Sequence, residues 1–326
     1  MKRICSLYIS LLFVALLACI SCTKPKKDVQ AMQDDTTPNE QMPAANSILI
    51  EAQALPEGTL TDDQLESIIN KSIKDSVHIK LTYEETRSVT DINELLKDYD
   101  DEYLSRVTAI TFEQQKTSEV CFEHLGFIER VPNLKYLKVN SNLKTVDVGA
   151  LPRILIVLDL SYNNISAFDA GKIPHFLSVL DLSYNNIAAF DTNSLPRPYD
   201  NQKILEKLSL QSLNLSNNPI EGIFEVTVNM SELLHLSLEE TKISRIKGLE
   251  NIRNAIRLYC NLSPIENPEE FLKLEKIWDL YFSVPKHYSD DDTENLENKL
   301  LERHSSLYHS FIFLKGERVL FFSAGE

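Results

Sequence analysis

The sequence predicts an α/β-type solenoid, in which a short coil of chain is repeated and the stacked coils share one parallel β-sheet. Residues 157–169 recur almost unchanged at residues 179–191, with one difference in thirteen positions. An apolar frame of the form LxxLxLxxNxL then recurs along the chain at steps near 22 residues. A fixed period of this length is typical of solenoids, whose repeats bury their apolar faces only against neighbouring repeats.

The frame predicts about eight coils between residues 105 and 287. Clear copies begin at Leu155, Leu177 and Leu210. Looser or partial copies begin at Val107, Leu134, Leu233, Ala255 and Ile277. We number the positions of each coil from this first apolar residue. Apolar residues at positions 4 and 6 alternate as on a strand and therefore point into the coil.

An asparagine at position 9 predicts an inward amide that pairs with the backbone where the chain leaves each strand. An amide side chain both donates and accepts, so it satisfies groups that would otherwise be buried without partners. Thr241 and Ser263 take this place in later coils. The predicted structural ladder comprises Asn142, Asn163, Asn185 and Asn218.

These frames resemble the leucine-rich repeats of bacterial proteins. The segment from Ile243 to Ile252 is similar to the 22-residue class found in internalin-type surface proteins. The resemblance covers residues 105–287 and implies a horseshoe with a parallel β-sheet on its concave face. It is specific for the fold and says nothing about the ligand.

The N-terminus predicts a lipoprotein signal. Lys2 and Arg3 precede an apolar run that is too short for a comfortable membrane span and that ends at Ala18. Residues 16–19, Leu-Leu-Ala-Cys, resemble the lipobox of bacterial lipoproteins, which implies cleavage after residue 18 and lipid attachment at Cys19. Cys22 is the weaker candidate. An ordinary signal peptide, or an uncleaved anchor, is the alternative.

Polar and cap segments flank the predicted solenoid. Residues 19–57 are polar, contain proline and lack apolar periodicity, so we expect a disordered tether. Residues 58–104 predict an N-terminal cap with a helix that begins at Thr61, a strand at 77–83 and a second helix at 91–103. Residues 288–326 predict a C-terminal cap built from a helix and a hairpin.

The sequence contains few features that would indicate an enzyme. It contains no GxGxxG, P-loop, HExxH or GxSxG motif, and its histidines show no metal-ligand spacing. Cys121 and His124 are close in sequence, but we expect a packed thiol beside an exposed imidazole, and Cys260 is also expected to be buried. We therefore expect no catalytic residues, no metal and no cofactor. A formal charge of −15 without a basic stripe argues against nucleic acid as a partner.

Outward residues between the inward leucines predict a binding face. The candidate contacts are Asp159, Asp181, Tyr162, Tyr184, Asn214, Tyr259 and Tyr281. Exposed tyrosines are favoured at protein interfaces. We expect that reversing the charge of both aspartates weakens binding without lowering thermal stability.

The sequence as a whole predicts a membrane-anchored lipoprotein that binds a protein partner on the concave face. A structural envelope scaffold without a dedicated soluble ligand is the alternative, and carbohydrate is a further candidate ligand. The lipid at Cys19 would be the only attachment to the membrane. We expect the outer membrane or the cell surface, with a periplasm-facing location as the alternative.

Overall fold

A computed structural model describes residues 67–68, 70–71, 77–81, 94, 96–113, 125–196, 210–304, 309–315 and 318–324. The predicted signal peptide, the tether and Cys19 lie outside these ranges, as do the Thr61 cap and the Cys121–His124 pair. No helix within these ranges is long and apolar enough to cross a bilayer.

Eleven of the described strands form one sheet, in the order β1-β2-β3-β4-β5-β6-β8-β10-β11-β12-β13, and β7 pairs with β9 in a second sheet. Within the main sheet only β12 and β13 are antiparallel among the described pairs. The strands are β1 Val77–Leu81, β2 Val107–Glu113, β3 Tyr136–Asn140, β4 Val157–Asp159, β5 Val179–Asp181, β6 Ser212–Asn214, β7 Glu221–Glu225, β8 His235–Ser237, β9 Lys242–Lys247, β10 Ala255–Cys260, β11 Lys276–Ser283, β12 His309–Lys315 and β13 Arg318–Ala324.

The apolar frame builds the core as the sequence predicts. In the coil that begins at Leu155, the residues at positions 1, 4, 6 and 11 are all fully buried, and the neighbouring coils repeat this pattern. Burying one such side chain stabilises a fold by about 1.5–3 kcal/mol. The stacked coils, their buried frame and their parallel sheet identify the fold as a leucine-rich-repeat solenoid.

Asn163, Asn185 and Asn218 form a ladder of buried amides that links successive coils. The Nδ2 of Asn185 donates to the carbonyl oxygens of Leu160 and Leu182, both at 2.9 Å. Its Oδ1 accepts from the backbone N–H of Ile165 at 3.0 Å. Because Leu160 and Ile165 belong to the preceding coil, each amide fastens its own coil to the one before it.

Asn142 does not occupy the place predicted for it in this ladder. It is partly exposed and has a left-handed φ of 58°, whereas Ser141 beside it is fully buried. The Oδ1 of Asn163 accepts from the N–H groups of both Ser141 and Leu143. Leu143 therefore occupies the place that Ile165 has in the next coil. The coil that begins at Leu134 has one residue fewer at this turn than the next coil.

Thr241 and Ser263 replace the amide in later coils, as expected. The hydroxyl oxygens of both residues donate to the carbonyl of Leu238, at 2.9 and 2.7 Å. The two oxygens are 2.9 Å apart. The Oγ of Ser263 also accepts from the backbone N–H of Thr241 at 3.0 Å, so two hydroxyls from adjacent coils together substitute for one longer amide side chain.

The middle coils return by short 3₁₀ turns, Val148–Ala150, Ala170–Lys172 and Thr192–Ser194. Each turn is capped by the aspartate before it, at positions 147, 169 and 191, whose Oδ1 accepts from the backbone N–H two residues later. A side-chain acceptor at this place satisfies a backbone donor that the turn leaves free. The rings of Phe168 and Phe190 stack 6.4 Å apart beside these turns.

The spacing of Ile246, Leu249 and Ile252 predicts that the returns of the later coils, around Asn251 and at residues 268–274, are more helical. Of these residues, Ile246 instead lies on β9 (Lys242–Lys247), which pairs in parallel with β7. The pairing shifts register between Gly222 and Ile223 of β7, and an irregular register of this kind allows buried residues three apart on a strand. The described helical turns that follow are of the 3₁₀ type, Leu249–Asn251 and Pro268–Lys273.

Short helices lie near both ends of the solenoid. The helix predicted at 91–103 is interrupted: residues 97–100 leave the helical conformation, and α1 (Asp101–Ser105) starts anew. The cause is Asp100, whose extended backbone and side-chain acceptor for the N–H of Tyr103 begin a second helix. At the other end, α2 (Asp290–His304) has three aspartates in its first turn and Arg303 and His304 in its last. This charge order suits the helix dipole.

Replacing Asn185 with alanine should lower the free energy of unfolding by about 3 kcal/mol. The substitution leaves the backbone groups of Leu160, Leu182 and Ile165 buried without that partner, and each such group costs about 1–3 kcal/mol. The measurement is urea-induced unfolding. Asn186→Ala is the matched control, because that side chain is exposed, and should change stability by less than about 0.5 kcal/mol. Equal losses in both variants would contradict a structural role for the ladder.

Candidate binding face

Strand register places the residues of the sheet's outward face in two columns, at positions 3 and 5 of each coil. The position-3 column contains His78, Ala109, Tyr136, Val157, Val179, Ser212, His235, Arg257 and Asp279. The position-5 column contains Lys80, Thr111, Lys138, Asp159, Asp181, Asn214, Ser237, Tyr259 and Tyr281. The two halves of this face differ in chemistry.

The N-terminal half of the position-3 column is apolar and covered. Ala109, Tyr136, Val157 and Val179 form a small buried cluster on the outward side of the sheet. Ile68, in a helical stretch that precedes β1, packs against it. This part of the face is therefore occupied by the chain itself.

The predicted acidic contacts, Asp159 and Asp181, are held by internal hydrogen bonds. The Oδ1 of Asp159 accepts from the backbone N–H and the hydroxyl of Ser161, at 3.0 and 2.6 Å. Asp181 is bound in the same way by Ser183, at 2.8 and 2.6 Å. The Nζ of Lys138 lies 3.6 Å from the Oδ2 of Asp159, and only 21% of the aspartate side chain is exposed.

Asn214 continues this arrangement in the next coil. Its Oδ1 accepts from the N–H and the hydroxyl of Ser216, and its Nδ2 donates to the Oδ2 of Asp181 at 3.1 Å. Burial, and then the charge of Asp159, raise the pKa of Asp181 to about 6. The column of Lys138, Asp159, Asp181 and Asn214, which we call the carboxylate column, is thus held by a network of internal pairs, Asp159 with Lys138 and Asp181 with Asn214.

This network corrects the expectation that both charges could be reversed without a loss of stability. Lysine at either position could not accept the hydrogen bonds of Ser161 or Ser183, and it would place a cation in a half-buried site. Taken one residue at a time, the sequence does not reveal this, because an exposed aspartate and a capping aspartate look alike. The recurring Asp-Leu-Ser and Asn-Leu-Ser triplets are the signal that could have revealed it.

The C-terminal half of the face carries a cluster of aromatic and ionic side chains, which we call the Tyr–Arg patch. Tyr259 and Tyr281 stack with ring centroids 4.7 Å apart, and the ring of His235 lies 5.4 Å from that of Tyr259. Beside them the Nε of Arg257 lies 3.1 Å from the Oδ2 of Asp279. Both tyrosines are partly exposed.

Arg257, Asp279 and His235 were not among the predicted contacts. Arg257 and Asp279 both hold position 3 of their coils, and strand pairing places them opposite each other, with Trp278 as an extra residue just before Asp279. The frame could therefore have revealed this pair. Burial, and then the charge of Arg257, lower the pKa of His235 to about 4, so its ring is neutral at pH 7. The Nδ1 of that ring lies 3.0 Å from the hydroxyl of Ser212.

Tyr162 and Tyr184 lie away from the Tyr–Arg patch, where the chain leaves β4 and β5. Their rings stack almost parallel, with centroids 4.2 Å apart and planes 8° apart. Burial, and then the neighbouring Tyr184, raise the pKa of Tyr162 to about 12. The predicted contact residues therefore fall into three separate groups: the carboxylate column, the Tyr–Arg patch and this tyrosine pair.

Two features of the described part of the chain bear on a reactive centre: the placement of metal-ligating side chains and the state of the Cys260 thiol. Among them, no group of three or more His, Cys, Asp or Glu side chains is placed to hold a metal ion. Cys260 is fully buried, as predicted, and its Sγ lies 3.3 Å from the carbonyl oxygen of Tyr281. Burial raises the pKa of this thiol far above its usual range, so it is not a thiolate near neutral pH.

A comparison with models of known protein families also detects a leucine-rich repeat in this chain. The Leucine Rich Repeat family model matches residues 209–229, which span the ladder residue Asn218. A search of curated protein sequences finds no significant match.

Among solved structures, the functional domain of InlJ from Listeria monocytogenes aligns with a TM-score of 0.46 at 18% identity, covering 73% of this chain and 46% of that one. A leucine-rich-repeat protein of Leptospira interrogans aligns with a TM-score of 0.46 at 14% identity, covering 79% and 72%. The internalin InlF of Listeria monocytogenes gives 0.47 at 18% identity, covering 67% and 58%. The chain thus spans about half the length of the two Listeria proteins.

Replacing Asp159 with asparagine should stabilise the protein near neutral pH. An amide at 159 can copy Asn214, accepting from Ser161 and donating to Asp181, and it removes the charge beside Asp181 at the expense of the 3.6 Å ion pair with Lys138. A pKa of Asp181 that is raised by folding costs stability when the carboxyl is ionised, above about pH 6, and costs nothing below the unfolded value near 4. We expect a gain of about 1 kcal/mol at pH 7.5, measured by urea unfolding, that fades towards pH 4.

Asp147→Asn is the control for this prediction, because it removes an exposed charge and retains the capping oxygen. Its effect should be small and the same at both pH values. A pH-independent gain in the Asp159 variant, or a loss at pH 7.5, would contradict the charge coupling between the two aspartates.

Proposed function

We propose that this chain is a lipid-anchored protein of the bacterial cell envelope that binds a protein partner on the concave face of its solenoid. The observation that carries the proposal is the Tyr–Arg patch, a contiguous set of partly exposed tyrosine, histidine and arginine side chains on β8, β10 and β11. Tyrosine, tryptophan and arginine dominate the binding energy of protein interfaces.

The arrangement of the patch suits protein recognition. The two rings and the guanidinium group are fixed by neighbours in the sheet, so binding would cost little side-chain entropy. Ten parallel strands about 4.8 Å apart give a face roughly 43 Å long. A face of this length accommodates the roughly 800 Å² that a standard interface buries on each partner.

The N-terminal half of the face supports a different role. Its apolar cluster is covered by the stretch that contains Ile68, and its carboxylates pair internally, Asp159 with Lys138 and Asp181 with Asn214. This internal pairing favours the alternative function, a structural envelope scaffold without a dedicated soluble ligand. The two functions differ in whether the Tyr–Arg patch touches another molecule.

A photoreactive residue in place of Tyr281 tests the proposal. With p-benzoylphenylalanine at position 281 of the full chain, illumination of intact envelopes should yield one discrete adduct of higher mass, detected by immunoblotting. Adding Arg257→Ala should weaken that adduct several-fold, because the patch loses its cation. Ile223 is the matched control position, since it is 52% exposed but lies on the second sheet. An absent adduct at 281, or equal adducts at both positions, would favour the scaffold.

The proposed anchor is a lipid on Cys19, and the proposed location is the outer membrane or the cell surface. Metabolic labelling with a fatty-acid analogue should mark the wild-type chain and the Cys22→Ser variant but not Cys19→Ser. Only the residue that follows the cleavage site would carry acyl chains, and two or more such chains make anchoring lasting. Labelling that is lost with Cys22→Ser and kept with Cys19→Ser would show that cleavage occurs before Cys22 instead. Absent labelling in all three would refute the lipid anchor.

A further inference from the structure

A recess lies beside the ends of the strands, away from the Tyr–Arg patch. It encloses about 560 Å³ and is lined by residues that follow the strands in five consecutive coils, those that begin at Leu134, Leu155, Leu177, Leu210 and Leu233. The tyrosine pair forms part of its wall, together with Asn164, Asn186 and Asn217. Because the same turn of each coil lines the recess, it runs along the direction in which the coils stack.

The backbone at this turn makes the tyrosines unexpected. Six consecutive coils place a left-handed residue here, with φ between 53° and 60° in Asn142, Tyr162, Tyr184, Asn217, Glu240 and Leu262. Asparagine tolerates this conformation, whereas for a bulky residue it costs about 1–2 kcal/mol. Asn142 and Asn217 show that asparagine serves the fold at this turn. Tyr162, Tyr184, Glu240 and Leu262 all keep this strain, but only the two tyrosines add stacked rings to the wall of the recess, and this combination points to a function of the pair.

The asparagines of the recess have hydrogen-bonding capacity to spare. Asn164 and Asn186 are exposed, and their side-chain amides make no hydrogen bond within the described part of the chain. They sit at the same position of adjacent coils, about 4.8 Å apart along the stack. Each amide offers two donors and one acceptor oxygen to a ligand.

The charge of the recess is balanced, although the whole chain carries −15. Its lining contains one anion, Glu240, and one cation, Lys242. A charged ligand would gain little from such a wall. An extended peptide is also a poor match, because its same-facing residues repeat every 6.4–6.8 Å and not every 4.8 Å.

We propose that this recess binds a neutral oligosaccharide. Hydroxyl groups both donate and accept, so a sugar chain matches the free amides of Asn164, Asn186 and Asn217 without any charge. The tyrosine pair offers flat apolar surface for the C–H faces of sugar rings, and 40% of Tyr184 is exposed for this contact. The coil spacing is comparable to the length of one sugar ring, so successive rings would meet successive coils.

The test is calorimetric titration of the full chain with neutral linear oligosaccharides of glucose, galactose and N-acetylglucosamine. The protein is kept in a detergent without a sugar headgroup, such as lauryldimethylamine oxide. We expect at least one of these oligosaccharides to bind. The variant Tyr162→Asn with Tyr184→Asn should bind at least tenfold more weakly, while its melting temperature stays within a few degrees of the wild type, because Asn142 and Asn217 already serve this turn.

A second variant tests the amides without touching the tyrosines. Asn164→Ala with Asn186→Ala removes two exposed side chains and should weaken binding at least fivefold, whereas Tyr259→Ala with Tyr281→Ala should leave sugar binding unchanged. The proposal is overturned if no oligosaccharide binds, if the tyrosine variant binds as tightly as the wild type, or if a set of extended peptides binds at this recess instead. These results are independent of the crosslinking at position 281, so the two proposals can fail separately.

Discussion

The cross-coil hydrogen bonds of Asn163, Asn185 and Asn218 are the constraint on which the architecture depends. A strand of three residues, such as β4 or β5, has too few ladder bonds to hold its coil in place. The chain must then turn sharply, and the buried backbone groups at that turn need partners. One amide side chain meets this need for two coils at once, and it thereby sets the spacing of everything else on the sheet.

The same constraint explains where side chains become available for function. The residue just before each ladder amide must take a left-handed backbone conformation. In the coil that begins at Leu134, Asn142 takes this conformation. Side chains at positions 3 and 5 must point away from the core, because positions 4 and 6 are committed to it. Chemistry can therefore vary at a few positions per coil while the frame stays fixed. The carboxylate column, the Tyr–Arg patch and the tyrosine pair all occupy such positions.

Features that repeat with the coil could be predicted from the sequence. The buried leucines, the parallel sheet, the amides at 163, 185 and 218 and their replacement by Thr241 and Ser263 follow from the period alone. Features that break the period could not. The missing residue near Asn142 shifts the frame by one, and the irregular pairing of β7 with β9 allows Ile243 and Ile246, three residues apart on one strand, both to be buried. The packing of Ile68 against the cluster of Ala109, Tyr136, Val157 and Val179 joins distant segments that share no pattern. The predicted face residues were found on turns and outward columns, but their hydrogen-bond partners depend on geometry.

The near-identity of residues 157–169 and 179–191 has a consequence for how such a chain grows. When a coil is copied and stacked on its original, every side chain comes to lie against its own duplicate. For rings this is favourable, and Phe168 on Phe190 and Tyr162 on Tyr184 are stacked pairs. For ionised groups it is not, and Asp159 lies against Asp181. In the coil that follows, Asn214 takes the place of the aspartate and Asn217 takes the place of the tyrosine. Duplication thus extends the solenoid easily through its aromatic and amide positions, while each copied charge creates a local defect that later substitution can relieve.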